Sequence, residues 1–452
     1  MAVDLTTLTS EEWPAWLEAQ PLAEAQAALV ALPREQLHEA LRRLDNEFAA
    51  RILSLLPPEV AAEALSELPY EDAAEALASH DLEQAVAVVQ ELDPDDAADI
   101  IAEMPVGQRE ALLEASGAAG EVIEELLVYS EDTAGGLMTP EVLEVWRQWT
   151  VAEAIDAIRR RSEELEQIYY TYVVDRNDVL IGVVTMRDLI LAPPCTPIDA
   201  ITNRDVTSVS VDTDQESVAE IISDLNLLAL PVVDRQGRLV GIVTVDDVID
   251  VIQEEASEDL QRLVGAGADE RTDSPFGYSV RMRLPWLHVN LLTAFCAAAV
   301  VGLFHESIAR LTLLAVFMPV VAGQGGNTGA QTMAVVIRGL ALGEIPAGYA
   351  RRVIAREALL GLVNGLVVGI VTATIAWWTS NTPAFGLVLG VAMVANMALA
   401  CAFGAIIPLG LRTLGLDPAQ SSSIFLTLVT DVVGFSAFLG LATIALNVGL
   451  IH

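Results

Sequence analysis

Two stretches in the C-terminal half place polar groups among apolar neighbours. One is FLTLVTDVVGF, with Asp431 at its centre and Thr427 one turn earlier. The other is PVVAGQGGNTGAQ, residues 319–331, in which Pro319 and glycines at 323, 325, 326 and 329 surround Asn327 and Gln331. A carboxylate in apolar surroundings deep in a span is expensive to keep and is by default a functional residue. Oxygen donors with a single carboxylate, and no His or Cys, suit a hard cation. Mg2+ in particular keeps much of its water and is often held through one or two carboxylates. The glycines and Pro319 are expected to loosen the helix and uncover carbonyls beside Asn327 and Gln331, which membrane depth tolerates only next to protein or a wet cavity. Two plainer readings stand beside these: Asp431 pairs with a neighbouring helix, and the glycines allow close packing.

A third constellation lies in VDDVIDVIQEEASEDLQRL, residues 245–263. Asp247, Asp250, Glu254 and Glu258 follow one another at helical spacing and line one face, flanked by Asp246, Glu255 and Asp259. Like charges so spaced destabilise a helix by a few tenths of a kcal/mol per pair, and a divalent cation would reverse the sign. The alternative is a solvated acidic face. Asp93, Asp95, Asp96 and Asp99 in ELDPDDAADI read by themselves as helix-start chemistry.

The elements that must hold these groups follow from how charge is distributed. The 452 residues carry 63 acids and 24 basic residues, every one of the latter Arg. The first 285 residues hold 58 of the acids and 18 of the arginines, giving about −40 in front and +1 behind. That asymmetry points to an acidic soluble region followed by a membrane region. It also excludes nucleic acid as a partner, since no basic patch exists to meet a phosphate backbone. Without Lys there is no Walker A loop or Lys-based catalysis, and no covalent chemistry is expected. Cys195, Cys296 and Cys401 are too scattered for a disulfide framework or zinc site. Nothing at the N-terminus reads as a signal peptide.

Residues 1–128 carry a twelve-residue repeat. Leu32, Leu44, Leu56, Leu68, Leu92 and Met104 share one phase, and Pro33, Asp45, Pro57, Pro69, Asp93 and Pro105 follow them as breakers. Ala-rich stretches between breakers favour helix, so the expectation is a stacked helical repeat domain. Residues 129–253 contain a duplication. YVVDRNDVLIGVVTMRDLI and LPVVDRQGRLVGIVTVDDVI each read as strand, tight turn, strand and helix, the helix starting at Thr185 or Thr244. These segments resemble a tandem pair of CBS domains, at 129–200 and 201–253, a module that commonly binds adenosine nucleotides or ions. A connecting helix is expected over 254–283. Apolar stretches at about 284–304, 311–337, 353–379, 384–411 and 422–450 predict five spans in residues 284–452. Arg281, Arg283, Arg338, Arg351, Arg352, Arg356 and Arg412 fall at every second end, against Arg310 on the other side. This places the N-terminal half in the cytoplasm and the C-terminus outside. On the third span, Gly361, Gly365 and Gly369 form a small-residue face expected to pack within one subunit.

The combination of an acidic repeat domain, a CBS pair, an acidic connecting helix and five spans with GGNTGAQ and a late Asp resembles the MgtE family of magnesium channels along essentially the whole chain. The resemblance implies a homodimer in the cytoplasmic membrane, with a Mg2+ pore made by the second and fifth spans. It further implies that cytosolic Mg2+ between the acidic domains holds a plug helix, and so the channel, shut. On this resemblance the ion path falls on Asp431, Asn327, Gly326, Thr328, Gly329, Gln331 and Thr427. The regulatory metal ligands fall on Glu59, Asp95, Glu216, Asp247, Asp250, Glu255, Glu258 and Asp259, with Asp417 reaching toward the plug. ATP is implied as a CBS ligand, matched by Tyr170, Arg187 and Asp188. Asn226 stands where the family often has an acid. Rival readings are a broader divalent-cation (Co2+) transporter and a membrane-anchored nucleotide sensor.

Overall fold

Proline and aspartate punctuate the N-terminal helices because each can open a helix but would break the one before it. In a computed structural model of the chain, residues 12–41, 44, 46–161, 170–268, 270–272, 274–346, 348–419 and 422–451 are described. Ten short helices run from α1 (Glu12–Ala19) to α10 (Ala118–Leu126) among the described residues. Pro57 is the N-cap of α5 (Pro58–Ser66), Pro69 of α6 (Tyr70–Ala78) and Asp93 of α8 (Pro94–Ala102). The expected breaker Asp45 lies outside the described residues. Leu56, Leu68, Leu92 and Met104 of the repeat phase are buried in one core with the helices' alanines.

The duplication folds twice into the same sheet. β1 (Glu144–Trp146) pairs parallel with β2 (Thr171–Val174), which pairs antiparallel with β3 (Leu180–Val184). β4 (Val209–Ser210), β5 (Ala229–Val233) and β6 (Leu239–Thr244) repeat that order and polarity. Helices α11 (Val151–Arg161) and α13 (Gln215–Leu225) cross between the parallel strands, and α12 (Met186–Leu191) follows β3. Asn226 ends α13 in the left-handed conformation, at φ 51°, which Asn adopts more readily than other non-glycine residues.

Helix α14 (Val245–Val264) starts directly after β6, and the described chain divides within it into two units, Met1–Ile252 and Gln253–His452. The helix ends earlier than the span of 254–283 read from the sequence. Gly265, at φ 76°, closes it with hydrogen bonds from Gly265 N to Arg262 O and from Ala266 N to Gln261 O, the pairing of a glycine-terminated Schellman cap.

In the second unit come α15 (Phe276–Leu303), the short α16 (His305–Arg310), α17 (Leu313–Ala341), α18 (Ala350–Ser380), α19 (Pro383–Thr413) and α20 (Ser422–Asn447). Among the described residues α15, α18, α19 and α20 are long and apolar enough to cross a membrane. The fifth long helix, α17, is diluted by Gln324, Asn327 and Gln331 and spans 29 residues. At the centre stands α19, packed on α17, α18 and α20. Over its most apolar window it is 56% buried, against 11% for α15. Gly361, Gly365 and Gly369 turn toward α19, where an added Cβ would lie 2.6 Å from Met397 O, 3.0 Å from Val394 Cα and 2.9 Å from Gly390 O. That face therefore packs within the chain, as expected.

Candidate ion path and acidic regulatory sites

The α17 residues divide between two faces. Val321, Gly325, Thr328, Gly329 and Thr332 are buried, whereas Gly323, Asn327 and Gln331 are exposed. Beside Gly323 and Gly326 an added Cβ would meet nothing within 4 Å, but at Gly329 it would come within 2.7 Å of Leu426 in α20. The expected loosening does not occur: α17 is helical without interruption through Pro319 and all four glycines. Glycine costs a helix about 1 kcal/mol relative to alanine, and close contact with α19 and α20 offsets this at Gly325 and Gly329. The hydroxyl of Thr328 donates back to Gln324 O at 2.7 Å, so no carbonyl is bared by chain unwinding.

On α20, Asp431 is half-buried and Thr427 exposed, with the Thr427 hydroxyl donating to Ser423 O at 2.8 Å. No described side chain pairs with the Asp431 carboxylate. The seven expected ion-path positions thus lie on two helices, α17 and α20, that pack on each other and on α19. Among the described residues no three His, Cys, Asp or Glu side chains converge as a metal cage. Sequence reading passed over Glu357 of α18, which is 6% exposed and accepts a hydrogen bond from Thr332 at 3.3 Å. Its signal was legible: an acid seven residues into a long apolar helix.

The acidic constellation on α14 divides between the two units. In the first, Asp247 is tied to the start of its own helix, its carboxylate accepting from the Thr244 hydroxyl and, at 3.3 Å, from Thr244 N. Burial pushes the Asp247 carboxyl up to about 6, opposed by the Thr244 bonds and reinforced by Asp246 and Asp250. Burial, followed by the charges of Asp247, Asp93, Asp99 and Asp250, pushes Asp96 up to about 8. Asp95 is raised well above the ordinary carboxylate value by burial and by Asp247, and its Oδ1 is buried with no hydrogen-bond partner among the described residues. The Tyr70 phenol is raised by burial and by Asp99, Asp96 and Asp247. So ELDPDDAADI is more than a helix start, because its carboxyls gather with the first turns of α14. Glu59 and Glu216 instead lie exposed in the first turns of α5 and α13.

In the second unit, Arg262 bridges Glu258 and Asp417, at 3.1 Å from the latter. Ser423 Oγ donates to Leu263 O at 2.7 Å, joining the end of α14 to the start of α20. Burial, then Asp417 and Glu255, push Asp259 up to about 6. Asp417 does reach this helix, but through an arginine. A further pair missed in the sequence, Glu270 and Arg283, lies 2.6 Å apart and ties the segment after α14 to α15. The candidate nucleotide residues Tyr170, Arg187 and Asp188 lie immediately before the CBS strand β2 and after β3. Asp188 is spent on a capping box with Thr185, Arg187 is exposed, and Tyr170 stacks edge-on against Tyr172 at 6.3 Å.

A helical repeat domain, a duplicated α/β pair and a bundle of long apolar helices carrying a half-buried acid define a membrane transport protein with two kinds of added domain. Family models agree: residues 32–132 match the MgtE intracellular N domain, 134–194 and 198–254 match CBS domains, and 318–441 match the MgtE divalent cation transporter region. The magnesium transporter MgtE of Thermus thermophilus is 40% identical over 329 residues, covering 72% of each chain. That of Enterococcus faecalis is 38% identical over 329 residues, covering 73% of this chain and 72% of its own. A crystal structure of the cytosolic domain of the Mg2+ channel MgtE in complex with ATP matches 54% of this chain and 99% of that one, at 38% identity and TM-score 0.51. The chain belongs to the MgtE family.

Proposed function

We propose that this protein is a homodimeric Mg2+ channel of the cytoplasmic membrane, with its N-terminal half cytosolic, its C-terminus outside, and closure driven by cytosolic Mg2+. The observation that carries the reading is Asp431, a half-buried carboxylate without a described partner on α20, which packs on α17 with its exposed oxygen-bearing residues. Asn327, Gln331 and Thr427 offer amide and hydroxyl groups suited to a largely hydrated ion, and Gly326 and Gly329 keep the helix slim. A single charge with neutral oxygens fits Mg2+, which sheds its water reluctantly. A Co2+ carrier would recruit His or Cys, and this path has neither. A nucleotide sensor anchored by passive spans would gain nothing from Asp431.

Regulation rests on carboxyls crowded together, whose mutual repulsion a divalent cation would offset. Asp95 and Asp247, with Asp250, form one regulatory cluster, and Glu255, Glu258, Asp259 and Asp417 a second. The orphaned Asp95 Oδ1 and the upward shifts of Asp247 and Asp259 are what a bound divalent cation would reverse. Glu59 and Glu216 contribute from exposed positions. ATP is a second ligand, of the CBS pair, with Tyr170 and Arg187 its contacts; Asp188 contributes only by capping its helix. Purified protein in liposomes should take up Mg2+ in preference to Co2+ and Ca2+, and internal Mg2+ should slow the uptake. Equal flux of all three cations would overturn the selectivity, and uptake indifferent to internal Mg2+ would overturn the gating.

A further inference from the structure

Asn396 lies midway along α19 in GVAMVANMALACAF and is 1% exposed. Its Nδ2 donates to Val321 O of α17 at 2.8 Å. Its Oδ1 is buried and has no partner among the described residues. Two glycines on two other helices make room for this one side chain. At Gly325 of α17 an added Cβ would lie 2.5 Å from Asn396 Nδ2, and at Gly434 of α20 one would lie 2.8 Å from Oδ1. Val321 and Gly325 are one turn apart. Gly325 comes two residues before Asn327, and Gly434 three residues after Asp431.

From this geometry we infer that Asn396 is a positioning residue for ion selectivity: a polar wedge that sets the separation of α17 and α20, and with it the spacing of Asn327 and Asp431. The inference rests on the proposed ion path but goes beyond it, because Asn396 faces the packed side of α17 and does not touch the ion. Polar side chains inside a helical membrane bundle hold neighbouring helices by hydrogen bonds. Asn396 does so through Nδ2 alone, while Oδ1 and Cγ fill the gap that the paired glycines leave. Volume rather than full hydrogen bonding is therefore its contribution. Its removal should let the helices approach and blur the discrimination between ions of different hydrated size.

The test is a double-mutant cycle in liposomes, read as Mg2+ uptake and as the ratio of Mg2+ to Ca2+ flux. Gly434→Ala should cut Mg2+ uptake roughly tenfold, and adding Asn396→Ala should restore most of it, since residues in contact couple. Asn396→Ala alone should still conduct but lower the flux ratio at least about threefold, whereas the similarly shaped Asn396→Leu should keep the wild-type ratio. An unchanged ratio in Asn396→Ala, or a double variant no better than Gly434→Ala alone, overturns the inference. If Gly434→Ala does not assemble, thermal midpoints of the purified Gly325→Ala protein with and without Asn396→Ala read the same steric coupling. Additive midpoints then count against the wedge. Those midpoints also separate the two ideas: full conduction by Asp431→Ala would remove the ion-path reading while the thermal coupling still decides on Asn396.

Discussion

A carboxylate that packs no core and pairs with no described residue can be removed without leaving a partner stranded. Asp431→Ala should therefore change stability by less than about 1 kcal/mol. Yet it should lower Mg2+ uptake at least about tenfold, because in the proposed function this carboxylate lies on the ion path. Flux and thermal melts on the same preparation check both halves. The carboxyls near α14 behave differently, since burial has raised them. Unfolded Asp titrates near the ordinary value of 3.8, but Asp247 sits at about 6 and Asp96 at about 8 in the folded chain. Between those values the folded chain binds more protons than the unfolded one, so stability falls as pH rises. In EDTA, the full-length protein should resist proteolysis within residues 1–252 better at about pH 5.5 than at about pH 8.5. Added Mg2+ should flatten the difference. A profile that is flat in EDTA would remove the charge-crowding account.

Elements show what could be read from residues and what could not. The duplication was visible because strand, turn, strand and helix recur with the same residue types, and both copies fold into one topology. The long helices were visible as apolar runs. The course of α17 was not: its glycines read locally as weakness, whereas contacts with Asn396 and Leu426, far away in sequence, hold the helix intact. Arg262 and Asp417, 155 residues apart, carry no mutual signal in a single sequence. Close approach likewise governs α18. Gly361→Val would push a side chain into Met397 O and Cys401, so it should destabilise the bundle by about 1–3 kcal/mol, the usual cost of overpacking. Detergent melting curves check this. Gly365→Cys should give no efficient disulfide between subunits under oxidation on a denaturing gel, because position 365 faces its own α19.

The whole molecule must manage its charge. A front half near −40 becomes about −80 in the proposed dimer, and drawing that charge together costs self-repulsion. A cation that binds the compact form better must also shift the population toward it. Many hydrated contacts suit sensing in the millimolar range better than one tight site does. Changing Asp247, Asp250, Glu255, Glu258 and Asp259 together to their amides relieves repulsion and removes ligands at once. It also leaves Arg262 without Glu258. The expected outcome is a leaky channel that internal Mg2+ no longer slows, since amides cannot fix α14. Uptake and protease protection of residues 1–285 on the same variant check it. A variant locked shut would mean that repulsion, not bridging, had set the gate.

Helix α14 runs 20 residues, with Thr244 capping its start and Arg262 and Leu263 tied to Asp417 and Ser423 at its end. Each inserted residue turns one end against the other by about 100° and lengthens the rod by about 1.5 Å. Two residues inserted after Gln253 would put Glu258 and Asp259 nearly on the opposite face from their present phase. Four would bring them back to within about 40° at about 6 Å greater length. If the helix transmits orientation, the four-residue insertion retains more inhibition by internal Mg2+ than the two-residue one, despite being longer. If it transmits only reach, the order reverses, and the dose–response of uptake against internal Mg2+ shows which.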